Sequence, residues 1–200
     1  MEKKSLKGTQ TEKNLIMSFA NESQAHARYS FFASQARKEG FIEIEAFFEQ
    51  TADQEKAHAK RFFKFLEGGM VNVNADFPAG VIGKTVDNLE TSAMLEKGEM
   101  EELYPEFARI ADEEGFPKIA AAYRSIAIAE GEHSRVYSEF AKRLREDKMF
   151  TSDEEIVWQC RKCGYLMKGI EPPVVCPACE HPKAHFQRHS DAPIAPISVF

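Results

Sequence analysis

Glu55-Lys-Ala-His58 and Glu130-Gly-Glu-His133 are two copies of one four-residue pattern, and each is preceded by a lone glutamate at nearly the same distance. Glu22 stands 33 residues before Glu55, and Glu96 stands 34 before Glu130. An α-helix turns about 100° per residue, so Glu and His three positions apart share a face and can reach a common point. One inward Glu from each of two helices, with Glu-x-x-His from each of two others, is the known way for a four-helix bundle to hold two metal ions.

Depth along the helices agrees with this reading. Glu22 lies 18 residues before Gly40, a turn signal, and Glu55 lies 15 after it. At about 1.5 Å per residue these are roughly 27 and 22 Å from the turn, so both ligands sit at similar height. Glu96 and Glu130 flank Gly115 by 19 and 15 residues. The two hairpins therefore form a pseudo-symmetric pair.

Working outward, apolar residues recur at helical spacing from Glu12 to Glu39, with Leu15, Phe19 and Tyr29 on the broad face of Glu22. Gly40 ends that helix, and a second runs from Phe41 to Glu67, with Phe48, Glu55, His58 and Phe62 on one stripe and Gly68-Gly69 as its stop. Met70 to Gly83 reads as a long crossover, which is needed to bring both Glu-x-x-His helices to one level. A third helix is expected from Lys84 to Glu114, bent at Pro105, and a fourth from Pro117 to Arg145. This divides the chain into a bundle over 1–146, a polar linker over 147–155, a small Cys-containing unit over 156–189 and a tail over 190–200.

With 200 residues, 43% hydrophobic content and 16 Phe, the bundle has enough material to bury a metal site. The net charge of −6, without a basic patch interleaved with aromatics, gives no reason to expect nucleic acid. No apolar run has the length of a signal peptide or membrane span, so a cytoplasmic protein is expected. Any single Glu here reads as a surface charge. Paired patterns, matched depth and placement on the apolar stripe outweigh that reading, because so many carboxylates in a core would repel one another without cations. Glu99, three residues after Glu96, adds a fifth carboxylate, and a site with five negative charges stays near neutrality with two ferrous or two ferric ions. Mixed carboxylate and imidazole ligands suit iron or manganese, and zinc would fit without redox chemistry.

All four cysteines lie in Cys160-Arg-Lys-Cys163 and Cys176-Pro-Ala-Cys179, with 12 residues between the pairs. This spacing predicts a tetrahedral tetrathiolate site in a reducing compartment, with metal ligation rather than a disulfide framework. Taken alone, it fits a zinc ribbon better than a single iron. Bound metal would hold together a unit too small to stabilise itself by burial.

Glu22-Ser-Gln-Ala-His-Ala-Arg-Tyr29, Phe31-Phe-Ala-Ser-Gln-Ala-Arg-Lys-Glu-Gly40, Tyr104-Pro-Glu-Phe-Ala-Arg-Ile-Ala-Asp-Glu-Glu-Gly115 and the Cys pairs together resemble the rubrerythrin family, from about Ser5 to Phe186. The resemblance implies an all-α ferritin-like four-helix bundle with a long crossover, followed by a rubredoxin-like domain whose four cysteines carry one iron. It implies that Glu55 and Glu130 bridge two irons, that Glu22 is terminal on one, and that Glu96 and His133 are terminal on the other. Glu99 and His58 would alternate on the first iron, carboxylate when oxidised and imidazole when reduced. Tyr29 and Tyr104 would hydrogen-bond ligating carboxylates, and with Glu99 and His58 they are the residues expected to serve catalysis. His26 is expected to have a surface or helix-packing role.

By the same resemblance the chain would be a peroxidase reducing hydrogen peroxide to water in oxidative stress defence. Its thiolate-bound iron would relay electrons between subunits of a head-to-tail homodimer. The absence of a G-x-G-x-x-G fingerprint means the electrons come from a partner, such as a rubredoxin or an NAD(P)H-dependent reductase. The competing expectations are a ferroxidase or iron-handling protein, and a metal-stabilised structural protein with zinc in the Cys site.

Overall fold

The computed structural model describes residues 4–189, so the expectation for the 190–200 tail lies outside the described residues. Helix α1 spans Gln10–Lys38 and α2 spans Ile42–Phe63. The α1 N-terminus is capped by Thr9, whose side chain accepts the Glu12 N–H. Gly40 takes φ +84°, and the Phe41 N–H reaches back to the Ala36 carbonyl at 2.9 Å, closing α1 with a left-handed cap. The second hairpin repeats the device: Gly115 has φ +76° and the Phe116 N–H bonds Ala111 at 2.7 Å. Helix α5, Pro117–Arg145, then starts on a proline, which loses no intrahelical bond at that position.

Two expectations are corrected. The second helix stops at Phe63 rather than Glu67, with four residues between it and the Gly pair, and 64–84 carries no helix or strand. The third helix is not one bent rod. Helix α3, Thr85–Gly98, passes into a π-helical turn over Glu99–Leu103 before α4 resumes at Tyr104–Glu113. Pro105 is the second residue of α4, so the irregularity lies just ahead of it.

The π turn accounts for the small mismatch between the repeats. Equivalent positions lie 74 apart before it, as Glu22 and Glu96, and 75 apart after it, as Tyr29 and Tyr104, Gly40 and Gly115, or Glu55 and Glu130. One extra residue has been absorbed within this turn, with the Tyr104 N–H bonding the Glu99 carbonyl five residues back. Met100, within this turn, packs so closely on α5 that a Cβ on Gly131 would lie 2.6 Å from its sulfur. Gly131 thus permits the approach.

Two aromatic clusters pack along the bundle. One contains Tyr29, Phe32, Phe48, Tyr137 and Phe140, and the other Leu15, Phe62, Tyr104, Phe107 and Tyr123. Beyond the bundle, β1 (Ile156–Cys160) pairs antiparallel with both β2 (Leu166–Gly169) and β3 (Phe186–Arg188), giving the order β2-β1-β3. Trp158, Cys160, Cys176 and Phe186 form its small core. The module rests against the turn end of the bundle, where Ala184 lies 3.8 Å from the Cβ position of Gly40.

Candidate metal centres

The bundle brings the sequence-predicted acids and histidines into two overlapping groups. Glu22, Glu55, His58 and Glu130 have ligand atoms all within 4.8 Å of one another, as do Glu55, Glu96, Glu130 and His133. Glu55 and Glu130 belong to both. Glu22, Glu55 and Glu130 are wholly buried, and Glu96 and His133 nearly so. His58 Nδ1 lies 3.0 Å from Glu55 Oε2 and 3.0 Å from Glu130 Oε1, and His133 Nδ1 lies 2.8 Å from Glu130 Oε2. Both imidazoles therefore present the same ring nitrogen to the acids.

These close approaches are only partly hydrogen bonds. Glu22 Oε2, Glu55 Oε1, Glu96 Oε2, both Glu130 oxygens and His133 Nδ1 are buried without a hydrogen-bond partner. His133 Nε2 lies 3.0 Å from Gln54 Oε1 and can donate to it, which turns Nδ1 toward the carboxylates, where it carries a proton without metal and would offer a lone pair to a cation. Buried polar atoms are rarely left unpaired, and here the orphans converge on shared points. That is the donor set a pair of divalent or trivalent cations requires, with oxygen and imidazole ligands suited to iron.

The charge states tell the same story. Burial, then the neighbouring Glu130 and Glu55 charges, push the Glu22 carboxyl well above its ordinary value. Burial and Glu55 do the same to Glu96. Glu99 is raised to about 8 by burial and by Glu130 and Glu55. Burial also works against charge on the histidines, but Glu130 and Glu55 outweigh it, raising His58 to about 10 and His133 to about 12. Burial likewise opposes ionisation of Glu55, yet contacts from His133 and His58 bring it down to about 2. Without metal the cluster can exist only by retaining protons, and metal cations replace them.

Tyr29 donates its hydroxyl to Glu96, and Tyr104 donates to Glu22, so each tyrosine reaches the lone glutamate of the opposite hairpin. Glu99 belongs to neither group of four; its Oε1 accepts the Asn21 amide at 2.6 Å. His26 also stands outside both groups, with Nδ1 2.8 Å from the Ala52 carbonyl across the α1/α2 contact, in keeping with a helix-packing role. Sequence reasoning missed Asn21 and Gln54, because an amide on an amphipathic helix carries no spacing signal until its partner is known.

The four cysteine sulfurs also lie within 4.8 Å of one another, with Cys160 Sγ to Cys179 Sγ at 3.8 Å and Cys163 Sγ to Cys176 Sγ at 3.7 Å. A tetrahedron with metal–sulfur bonds of about 2.3 Å has edges of roughly 3.8 Å, so the cage is already the right size. Desolvation raises the Cys176 thiol, but the backbone N–H groups of Ala178 and Cys179 more than offset it and bring it down to about 7. Each Cys pair is followed by a left-handed residue. The first is Gly164, φ +80°, as its sequence suggests; the second is Glu180, φ +60°, whose N–H bonds the Cys176 carbonyl at 2.9 Å. No helix among the described residues is long and apolar enough to cross a membrane.

Comparison with known proteins agrees with both centres. Residues 13–141 match the rubrerythrin family and residues 158–187 match the rubrerythrin rubredoxin-like domain. A rubrerythrin from Porphyromonas gingivalis is 53% identical over 184 residues, covering 92% of this chain and 92% of that protein. A rubrerythrin from Nitratidesulfovibrio vulgaris is 52% identical, covering 92% of this chain and 96% of its own length. Among solved structures, fully reduced, all-ferrous nigerythrin superposes with a TM-score of 0.61 at 30% identity, covering 94% of this chain and 90% of the other. The chain therefore belongs to the rubrerythrin family, with its di-iron domain followed by a rubredoxin-like four-cysteine site.

Proposed function

We propose that this protein is a non-haem di-iron peroxidase that reduces hydrogen peroxide to water in oxidative stress defence in the cytoplasm. The carrying observation is the asymmetry of the cluster: two glutamates common to both metal groups, His58 in the first group, and Glu99 beside it but outside. Two irons held there would supply the redox chemistry, two electrons that with two protons convert hydrogen peroxide to two waters.

The residues of the chain have separable tasks. Glu22, Glu55 and Glu130 would hold one iron and Glu55, Glu96, Glu130 and His133 the other, with Glu55 and Glu130 common to both. Tyr29 and Tyr104 fix the orientation of Glu96 and Glu22 by their hydroxyls, and Gln54 fixes the tautomer of His133. His58 and Glu99 would be alternative holders of the first iron, imidazole when it is reduced and carboxylate when it is oxidised, so that ligand charge would follow metal charge and keep the site near neutral. The catalytic assignments are thus Glu99, His58, Tyr29 and Tyr104.

The four-cysteine module relays electrons from an external donor such as a rubredoxin or an NAD(P)H-dependent reductase. It rests at the Gly40 end of its own bundle, whereas Glu55 lies 15 residues beyond Gly40, roughly 22 Å along the helix. This separation supports relay across a head-to-tail homodimer, in which each module serves the partner's bundle.

The test is metal content and the visible spectrum of freshly purified protein, before and after anaerobic reduction and one equivalent of hydrogen peroxide. About three irons per chain, with a thiolate-to-iron band that bleaches on reduction and returns with peroxide, is the expected result. A di-iron site that binds its metal but fails to reoxidise with peroxide would refute the activity. Iron uptake beyond two bundle irons per chain would favour iron handling, and colourless protein with zinc in the Cys site that does not respond after iron reloading would favour a structural role.

A further inference from the structure

Resting on the ligand exchange in the peroxidase reading above, we propose that Asn21 is a positioning residue that holds Glu99 off the metals in the reduced state and so sets the balance between Glu99 and His58. Asn21 immediately precedes Glu22 on α1 and is only partly buried. Its Nδ2 crosses to the first residue of the π turn and donates to Glu99 Oε1 at 2.6 Å. Of the five acids expected at the site, Glu99 alone is missing from both metal groups, while His58 is present in one. The structure thus holds imidazole in and carboxylate out.

A carboxylate withdrawn from metal ions into a protein interior requires a donor in place of the cations it left. Glu99 is 9% exposed, so water cannot fill that need fully; the Asn21 amide supplies the larger hydrogen bond, at 2.6 Å, beside a smaller contribution from the Tyr104 hydroxyl. The chemistry of the donor matters. A Lys or Arg in this place would hold Glu99 by charge and trap it away from the site, whereas a neutral amide gives one hydrogen bond that metal oxidation can overcome. Because Asn21 stabilises the arrangement that suits the reduced centre, it raises the midpoint potential of the di-iron couple.

The test is a redox titration of full-length, iron-loaded protein followed by Mössbauer spectroscopy, comparing the parent with Asn21→Ala and with Asn21→Leu, which removes the donor but fills the space. One hydrogen bond to an ionised group shifts such an equilibrium about ten- to hundred-fold. For a two-electron couple that is roughly 30 to 60 mV downward in both variants, with the potential of the thiolate-bound iron unchanged. An unchanged di-iron potential, or opposite shifts in the two variants, would overturn the proposal while leaving the exchange itself standing. Failure of the exchange is seen separately: if Glu99→Gln leaves the oxidised-centre spectrum unaltered, Glu99 never ligates, and both the exchange and the role of Asn21 are lost.

Discussion

Removing the metals should produce a protein whose stability falls as pH rises from about 5 to 8. Glu99 titrates at about 8 in the metal-free fold, against an ordinary value of 4.5, and Glu22 and Glu96 move in the same direction. The folded state then keeps protons that the unfolded chain has released, so raising the pH favours unfolding. The contribution is complete below about 4.5 and is lost as pH passes through 8. His58, at about 10 against 6.5, acts with the same sign: its stabilisation is present below 6.5 and lost toward 10. Glu55, held at about 2, opposes acidification only, since its contribution is present above 4.5 and lost as pH falls toward 2. A full shift of Glu99 from 4.5 to 8 corresponds to a ceiling of about 4–5 kcal/mol. Water entering the emptied site reduces this to about 2–3 kcal/mol, still a large share of the 5–15 kcal/mol typical of a domain. The assay is urea unfolding of chelator-treated protein at pH 5, 6.5 and 8, followed by far-UV circular dichroism, beside metal-loaded controls. Metal-loaded protein should gain stability over the same range, because its ligands must be deprotonated. Metal-free stability that is flat or rising with pH would refute the reasoning.

Tyr104→Phe leaves Glu22 without its hydroxyl donor and should weaken iron binding about 10- to 100-fold, measured by competition with a graded chelator. Deleting exposed Glu102 should turn the π turn into ordinary helix with the bundle and its two-iron loading intact, while Glu99 loses its register; circular dichroism, metal content and the oxidised-state spectrum read the three effects. Cys160→Ser should unfold the small module and remove one iron per chain and the thiolate band, but leave the bundle irons in place. Glu180→Gly should relieve the left-handed strain and stabilise the module by about 0.5–1 kcal/mol, seen as slower metal release to chelator.

Much of the bundle was legible because its signals are local. Gly40 and Gly115 stop helices by conformations open chiefly to glycine, and Pro117 starts one where its missing N–H does no harm. The Glu-x-x-His spacing needs only the helical pitch to place both side chains on one face. The π turn was also written in the sequence, in the spacings 33 against 34 and 18 against 19, but one residue of difference looks like tolerance until hydrogen bonds show where it is absorbed. The early end of α2 was less legible: Lys64 to Glu67 remain compatible with helix, and the chain turns away through 3₁₀-like bonds from Phe65 to Phe62 and Leu66 to Phe63.

The sequence by itself determined the two metal-binding patterns, the order of the two domains and the pseudo-repeat, since periodicity and ligand type follow from covalent spacing along one chain. The tertiary structure brought Glu55 and Glu130 into both groups, as the family resemblance implies, and it alone decided that each tyrosine serves the glutamate of the opposite hairpin. It also decided that Glu99 rests on Asn21 while His58 faces the cluster. These are contacts between helices up to 82 residues apart. Their geometry depends on how the helices pack and on the single extra residue in the π turn, which no local pattern specifies.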